Sequence, residues 1–186
     1  MELMEAIKAR RSVRTYKPDA VEREKIEKII GAAVKAPTGM NQQSWAFGVM
    51  QDKARLHGYS EAVKAFLLGK VDEWTWLAPY AEHFANPEYN VFYYAPALVV
   101  IYAKNPSPIA QIDCTLAAEN LMLAACDLGL GSCWIGFATW VLDQPDVKKQ
   151  LGVPEDYTVV APIIVGYPAG DIPVPEKNPP EVMYWK

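Results

Sequence analysis

Apolar side chains recur at helical spacing from the start of the chain, at Leu3, Met4 and Ile7, until the basic stretch Arg10-Arg11-Ser12-Val13-Arg14 interrupts them. A first helix therefore delivers a cationic turn. A second helix is predicted after Asp19, with Val21, Ile26, Ile29, Ile30, Ala33 and Val34 on one face, ending before Pro37. A polar loop, 38–44, follows. Two short runs with β-branched and aromatic content, 45–51 and 97–103, read as strands, the second a buried one, with a helical, aromatic-rich insert between them. Residues 109–128 combine Ile112, Leu116, Leu121 and Leu123 with few charges, as in a helix buried on most sides, and Gly129 and Gly131 end it. Then come a short apolar segment (132–137), a surface helix (143–151) and a strongly β-branched strand (158–165). After Gly166, five prolines from Pro168 to Pro180 make the tail an extended arm, suited to lie along a surface such as a partner subunit's.

This order is not a regular βαβ alternation, so it fits a mixed α+β layer better than a doubly wound parallel fold. No repeat or linker divides residues 1–186, which read as one domain. The 186 residues are 51% hydrophobic and 22% charged, with a net charge of −4, which suits a soluble globular chain with a sizeable core. A pI near 5.2 supplies no basic field for nucleic acid or anionic membrane, leaving small molecules or a second copy as partners. No secretory leader or stretch approaching a membrane span is apparent. Three cysteines, Cys114, Cys126 and Cys133, form no paired framework, and two histidines, His57 and His83, show no ligand-like spacing. The chain thus implies no metal, and a reducing cytoplasm is its simplest compartment.

Three segments carry candidate chemistry. Arg10, Arg11, Ser12 and Arg14 place three guanidiniums and a hydroxyl within five residues, a set suited to a phosphate; a solvated basic helix end is the alternative. The loop Pro37-Thr38-Gly39-Met40-Asn41-Gln42-Gln43-Ser44-Trp45 gathers amides that can pair with the edge of a heterocycle, or it is simply a connecting turn. Gly129-Leu130-Gly131-Ser132-Cys133-Trp134-Ile135-Gly136 either presents backbone N–H groups to a ligand or caps a helix entering a core strand. It is no dinucleotide fingerprint, because its glycines follow a helix.

Together and in this order, RRSVR, APTGMNQQSW and GLGSCWIG resemble the nitroreductase family of FMN-dependent oxidoreductases, over nearly the whole chain. The resemblance implies a mostly antiparallel central sheet flanked by helices, with an extended C-terminal arm, and a homodimer with flavin at the subunit interface. It implies Arg10, Arg11 and Ser12 at the FMN phosphate or ribityl chain and Arg14 near the pyrimidine side of the ring. Pro37, Thr38, Gly39 and Asn41 would approach the same flavin from the partner subunit, and backbone N–H groups at Ile135 and Gly136 would meet flavin N5 and O4. Two departures stand out: Ser44 replaces the usual proline, and the tail offers only Lys177 as a further basic phosphate ligand.

The implied activity is a ping-pong cycle in which NADH or NADPH reduces FMN and a small planar acceptor, a nitroaromatic, quinone or enone, is then reduced on the same face. The cofactor carries the hydride chemistry, so no catalytic side-chain acid is required. Ten of the chain's 21 aromatic residues fall between Tyr59 and Tyr94. Either they form a lid that stacks acceptors, with Trp74, Phe92 and Tyr93 as candidate contacts, or they pack the core or a dimer arm. A same-fold dehalogenase, a flavin-breakdown enzyme and a flavin-sequestering protein without turnover remain as alternatives.

Overall fold

The computed structural model describes residues 1–186. Its sheet contains β1 (Trp45–Met50), β2 (Ala97–Ala103), β3 (Gly131–Trp134) and β4 (Thr158–Gly166), in the order β1-β2-β4-β3 with every neighbouring pair antiparallel. The helices are α1 (Leu3–Ala9), α2 (Arg23–Ala33), α3 (Lys53–Leu68), α4 (Ala81–Ala85), α5 (Pro108–Asp127), α6 (Thr139–Leu142) and α7 (Pro145–Leu151). The chain is α+β, as its element order predicts.

Every residue of β2 is buried, because helices cover both faces of the sheet. Ala97, Val99, Ile101 and Ala103 point into one core with α2 and α5; Leu98, Val100 and Tyr102 point into another with α3, α6 and the aromatic insert. A strand covered on both sides loses the apolar-polar alternation of a half-exposed one, so it reads as a continuous hydrophobic run. A register shift after Ile101 pairs Tyr102 with Val159, which keeps both on the insert side despite the extra residue in β4.

Local chemistry sets the helix ends. The Asp52 carboxylate accepts from the N–H groups of Ala54 and Arg55 at 2.9 and 3.1 Å, starting α3. Ser107 Oγ accepts from Ala110 N–H, with Pro108 in the first turn of α5, where its missing N–H costs nothing. Gly152, at φ 70°, stops α7.

Two expectations are corrected. The apolar face of α1 is not buried: Leu3, Met4 and Ile7 are exposed and only Ala6 faces the core. The α5 helix is not buried on most sides, since it leaves Ile109, Ile112 and Leu116 in the open while Cys114, Ala117, Ala118, Leu121 and Ala125 pack inward. The same helix also has the length and apolarity of a membrane span, yet its inward face is spent on the sheet and α2. A helix that is apolar on a buried face and on an uncovered one carries no amphipathic signal.

Helix α5 is followed by a tight crossing. Gly131 lies so close to Val13 that a Cβ there would sit 2.7 Å from the valine side chain. Gly131→Ala should therefore lower stability by about 1–3 kcal/mol through overpacking, seen as a fall in the thermal midpoint against the wild type.

Candidate functional site

The end of α5 positions the basic turn. Gly129 takes a left-handed backbone (φ 73°), which lets Leu130 N–H return to Ala125 C=O at 2.8 Å and sends the chain sharply into β3. Gly131 then permits the close approach of Val13, whose N–H donates to Ser132 C=O at 3.0 Å, and Ser12 pairs with Ser132 in a parallel bridge. Lys17 N–H to Tyr167 C=O and Ala169 N–H to Thr15 C=O stitch the other side of the segment. The stretch from Arg10 to Thr15 is thus pinned between β3 and the chain after β4.

Two of the cavities around this segment share Arg14. The first, about 450 Å³, is lined by Arg10, Arg11, Ser12, Arg14, Thr15 and Lys177 together with tail residues. Glu119 pairs with Arg10 at 3.3 Å, and Arg11 donates to Ile172 C=O at 2.8 Å, whereas Arg14 and Lys177 enter no ion pair. Asp171 is the one carboxylate in the lining, so the cavity is net cationic. A phosphate-sized anion meets several directed N–H donors there.

The second cavity, about 300 Å³, shares Arg14 with the first and adds Ile135, Gly136 and an aromatic wall of Trp76, Phe137 and Trp140, with Tyr89, Tyr93 and Cys133. Trp76 stacks nearly parallel to Phe137 (10°) and to Trp74 (12°). Arg14 is the only charged residue in this lining. Burial pushes the Cys133 thiol up, which keeps it protonated at neutral pH and a poor nucleophile.

The structure therefore brings together Arg10, Arg11, Ser12, Arg14 and Lys177, and separately Arg14, Ile135, Gly136 and Tyr93. Other expected residues fall elsewhere. Phe92 is 1% exposed in the core and lines a different, smaller hollow beside His57, outside the aromatic cavity. Trp74 stands behind the wall, packed on Trp76 and Trp140. The Ile135 N–H donates to Pro162 C=O at 2.8 Å, so it is engaged within the chain. Phe137 and Trp140 carry no signal in the sequence, since they lie outside the aromatic insert and only the fold brings them to it.

The loop after α2 lines neither cavity of its own chain. Its shape is nevertheless specific. Gly39 N–H donates to Asp113 Oδ1 at 3.1 Å, a Cβ on Gly39 would sit 2.6 Å from Ile109, and Met40, Asn41 and Gln43 all have left-handed backbone. Gly39 thus anchors the loop carrying Pro37, Thr38 and Asn41 against Asp113 and the exposed Ile109 of α5.

The family model described as the nitroreductase family matches residues 7–167. The chain belongs to the nitroreductase family. This nitroreductase-family chain is 33% identical over 172 residues to an Archaeoglobus fulgidus protein that carries a provisional NADH dehydrogenase/NAD(P)H nitroreductase name, covering 90% of this chain and 86% of the relative. A Bacteroides fragilis nitroreductase solved with bound FMN superposes with a TM-score of 0.84 at 32% identity, covering 99% of this chain and 97% of that one. The iodotyrosine deiodinase of Thermotoga neapolitana is 27% identical, covering 98% of this chain and 97% of its own. One scaffold therefore carries more than one chemistry among the relatives.

Arg11 ties the tail to the basic turn through a single charged donor. Arg11→Ala should speed hydrogen exchange around residues 171–177 by about tenfold or more, with little change in the thermal midpoint, because a charge-assisted bond is lost only locally.

Proposed function

We propose that this nitroreductase-family chain is an FMN-dependent oxidoreductase that takes electrons from NADH or NADPH and reduces small planar acceptors such as nitroaromatics, quinones or enones in a ping-pong cycle. The observation that carries the reading is Arg14: it lines both the cationic cavity and the aromatic one, so a ligand with a phosphate at one end and a flat ring at the other can occupy both. The residues fit FMN on chemical grounds as well. Gly136 has no packing reason to lack a side chain, since a Cβ there would meet nothing within 4 Å. A bare backbone on an open cavity wall suits the close approach of a planar ring.

FMN, when bound, supplies the hydride chemistry. The chain's own groups bind and tune: Arg10, Arg11, Ser12 and Lys177 hold the phosphate end, with Glu119 orienting Arg10. Arg14 places a fixed positive charge where reduction adds negative charge, favouring the reduced state. With Ile135 engaged by Pro162, Gly136 alone of that pair offers a backbone N–H to the ring. Trp76, Phe137 and Trp140 give acceptors an aromatic surface and exclude water.

A homodimer belongs to the same proposal. Ile109, Ile112 and Leu116 on α5, whose first turns pack on Gly39 of the Pro37–Asn41 loop, and Leu3, Met4 and Ile7 on α1 are uncovered apolar side chains, the kind of surface a second copy would bury while bringing that loop to the other copy's flavin. Three free thiols agree with a reducing, cytoplasmic setting. Deiodination of an amino acid, the named activity of one relative, is less well served, because the aromatic cavity contains no carboxylate to pair with an ammonium group.

The purified protein should show an oxidised-flavin spectrum after adding FMN, bleach on anaerobic addition of NADH or NADPH, and recover its colour with a quinone. Flavin bound but never bleached would favour sequestration over turnover. Gly136→Val should leave stability within about 0.5 kcal/mol of wild type, as for an open surface site, and weaken FMN binding about tenfold or more.

A further inference from the structure

Two tyrosines, Tyr89 and Tyr93, line the aromatic cavity, and the hydroxyls of Tyr16, Tyr94 and Tyr89 are each spent within the chain. Tyr16 donates to Val13 C=O at 2.6 Å, Tyr94 to Glu88 C=O at 2.9 Å, and Tyr89 to the Tyr93 oxygen at 3.4 Å. Burial pushes the Tyr89 phenol up, so it remains a protonated donor at neutral pH. The Tyr93 hydroxyl accepts from Tyr89 and gives its own proton to nothing in the protein. It faces a cavity in which the Arg14 guanidinium lies over the Tyr93 ring, 5.9 Å from its centroid, and enters no ion pair.

The backbone beneath it is forced. Tyr93 and Tyr94 both adopt left-handed φ, 53° and 54°, a conformation bulky residues avoid because Cβ crowds the following carbonyl. Two buried side chains hold the strain in place. Asn90 Oδ1 accepts from Phe92 N–H at 2.9 Å and Tyr94 N–H at 3.4 Å, and Ser60 Oγ accepts from Val91 N–H at 2.9 Å. Asn90 C=O takes the Tyr93 N–H at 2.9 Å. This clamp sends the Phe92 ring into the core while turning Tyr93 the other way, into the cavity. Strain held by buried polar groups marks a position the fold maintains for a purpose other than its own packing.

We infer that the Tyr93 hydroxyl is a ligand-binding donor aimed at an oxygen on the edge of a planar molecule in this cavity, making Tyr93 a residue that selects carbonyl- or nitro-edged rings over bare hydrocarbons. The inference deepens the flavoprotein reading and rests on it for the identity of the ring. The oxygen belongs either to the flavin's own pyrimidine edge or to a bound acceptor; the chemistry is shared, and binding measurements separate the two.

Trp76, Trp134 and Trp140 line the cavity, so tryptophan fluorescence of the full chain reports occupancy without any turnover. Wild type and Tyr93→Phe, which removes only the hydroxyl, would be titrated with FMN, with 1,4-naphthoquinone and with naphthalene as the oxygen-free control. A neutral hydrogen bond lost in a dry site corresponds to about tenfold in affinity. If the donor serves the flavin, FMN binding weakens by about that factor; if it serves the acceptor, naphthoquinone binding does and FMN stays within about twofold. Naphthalene binding is unchanged in either case. Equal affinities of the two proteins for FMN and naphthoquinone, or a parallel loss for naphthalene, would overturn the inference. A wild type that binds naphthoquinone through Tyr93 but never FMN would instead sink the flavin reading and leave Tyr93 as the donor.

Discussion

The packing of α5 against the sheet and α2 is the constraint on which everything else rests. Its inward face is built of small residues, Cys114, Ala117, Ala118 and Ala125 around Leu121, and that lets the helix lie close to β2 and β4. Polar groups leave the same helix in three directions: Asp113 holds Gly39 of the loop after α2, Glu119 pairs with Arg10, and Asn120 donates to Ala32 C=O at 3.3 Å. At its far end the left-handed Gly129 turns the chain into β3, and Gly131 admits Val13. One helix thereby fixes the positions of all three segments that carry candidate chemistry.

That arrangement also gives Asp113 and Glu119 their roles. Each carboxylate is committed to a positioning contact, although one Asp113 oxygen is buried without a partner. The chemistry of the site comes instead from fixed cations and from surfaces without side chains. Arg14 joins the cationic cavity to the aromatic one, and Gly136 leaves the floor of the second open. The glycines of GLGSCWIG accordingly have three separate causes: a left-handed turn, a close crossing and an uncovered wall.

Much of the fold was legible in local pattern. The buried strands announced themselves as β-branched runs, and the RRSVR turn and the glycine-rich segment lay where helix and strand periodicity broke. What the pattern did not reveal was tertiary. Leu3, Met4 and Ile7 have the spacing of a buried face, but within one chain nothing covers them. Phe92 and Tyr93 are neighbours of similar character, and only the left-handed backbone that begins at Tyr93 sends one into the core and the other into the cavity. Ile135 looked free to donate until the strand pairing claimed its N–H. Phe137 and Trp140 joined the aromatic wall through the fold alone.

The most direct measurement is a crystal structure of the protein grown with FMN. The account predicts the phosphate among Arg10, Arg11, Ser12 and Lys177, the ring against Gly136 with Arg14 at its pyrimidine side, and the Thr38–Asn41 loop reaching it from a second copy of the chain. FMN bound away from Arg14, or a ring contacted by no second chain, would contradict it.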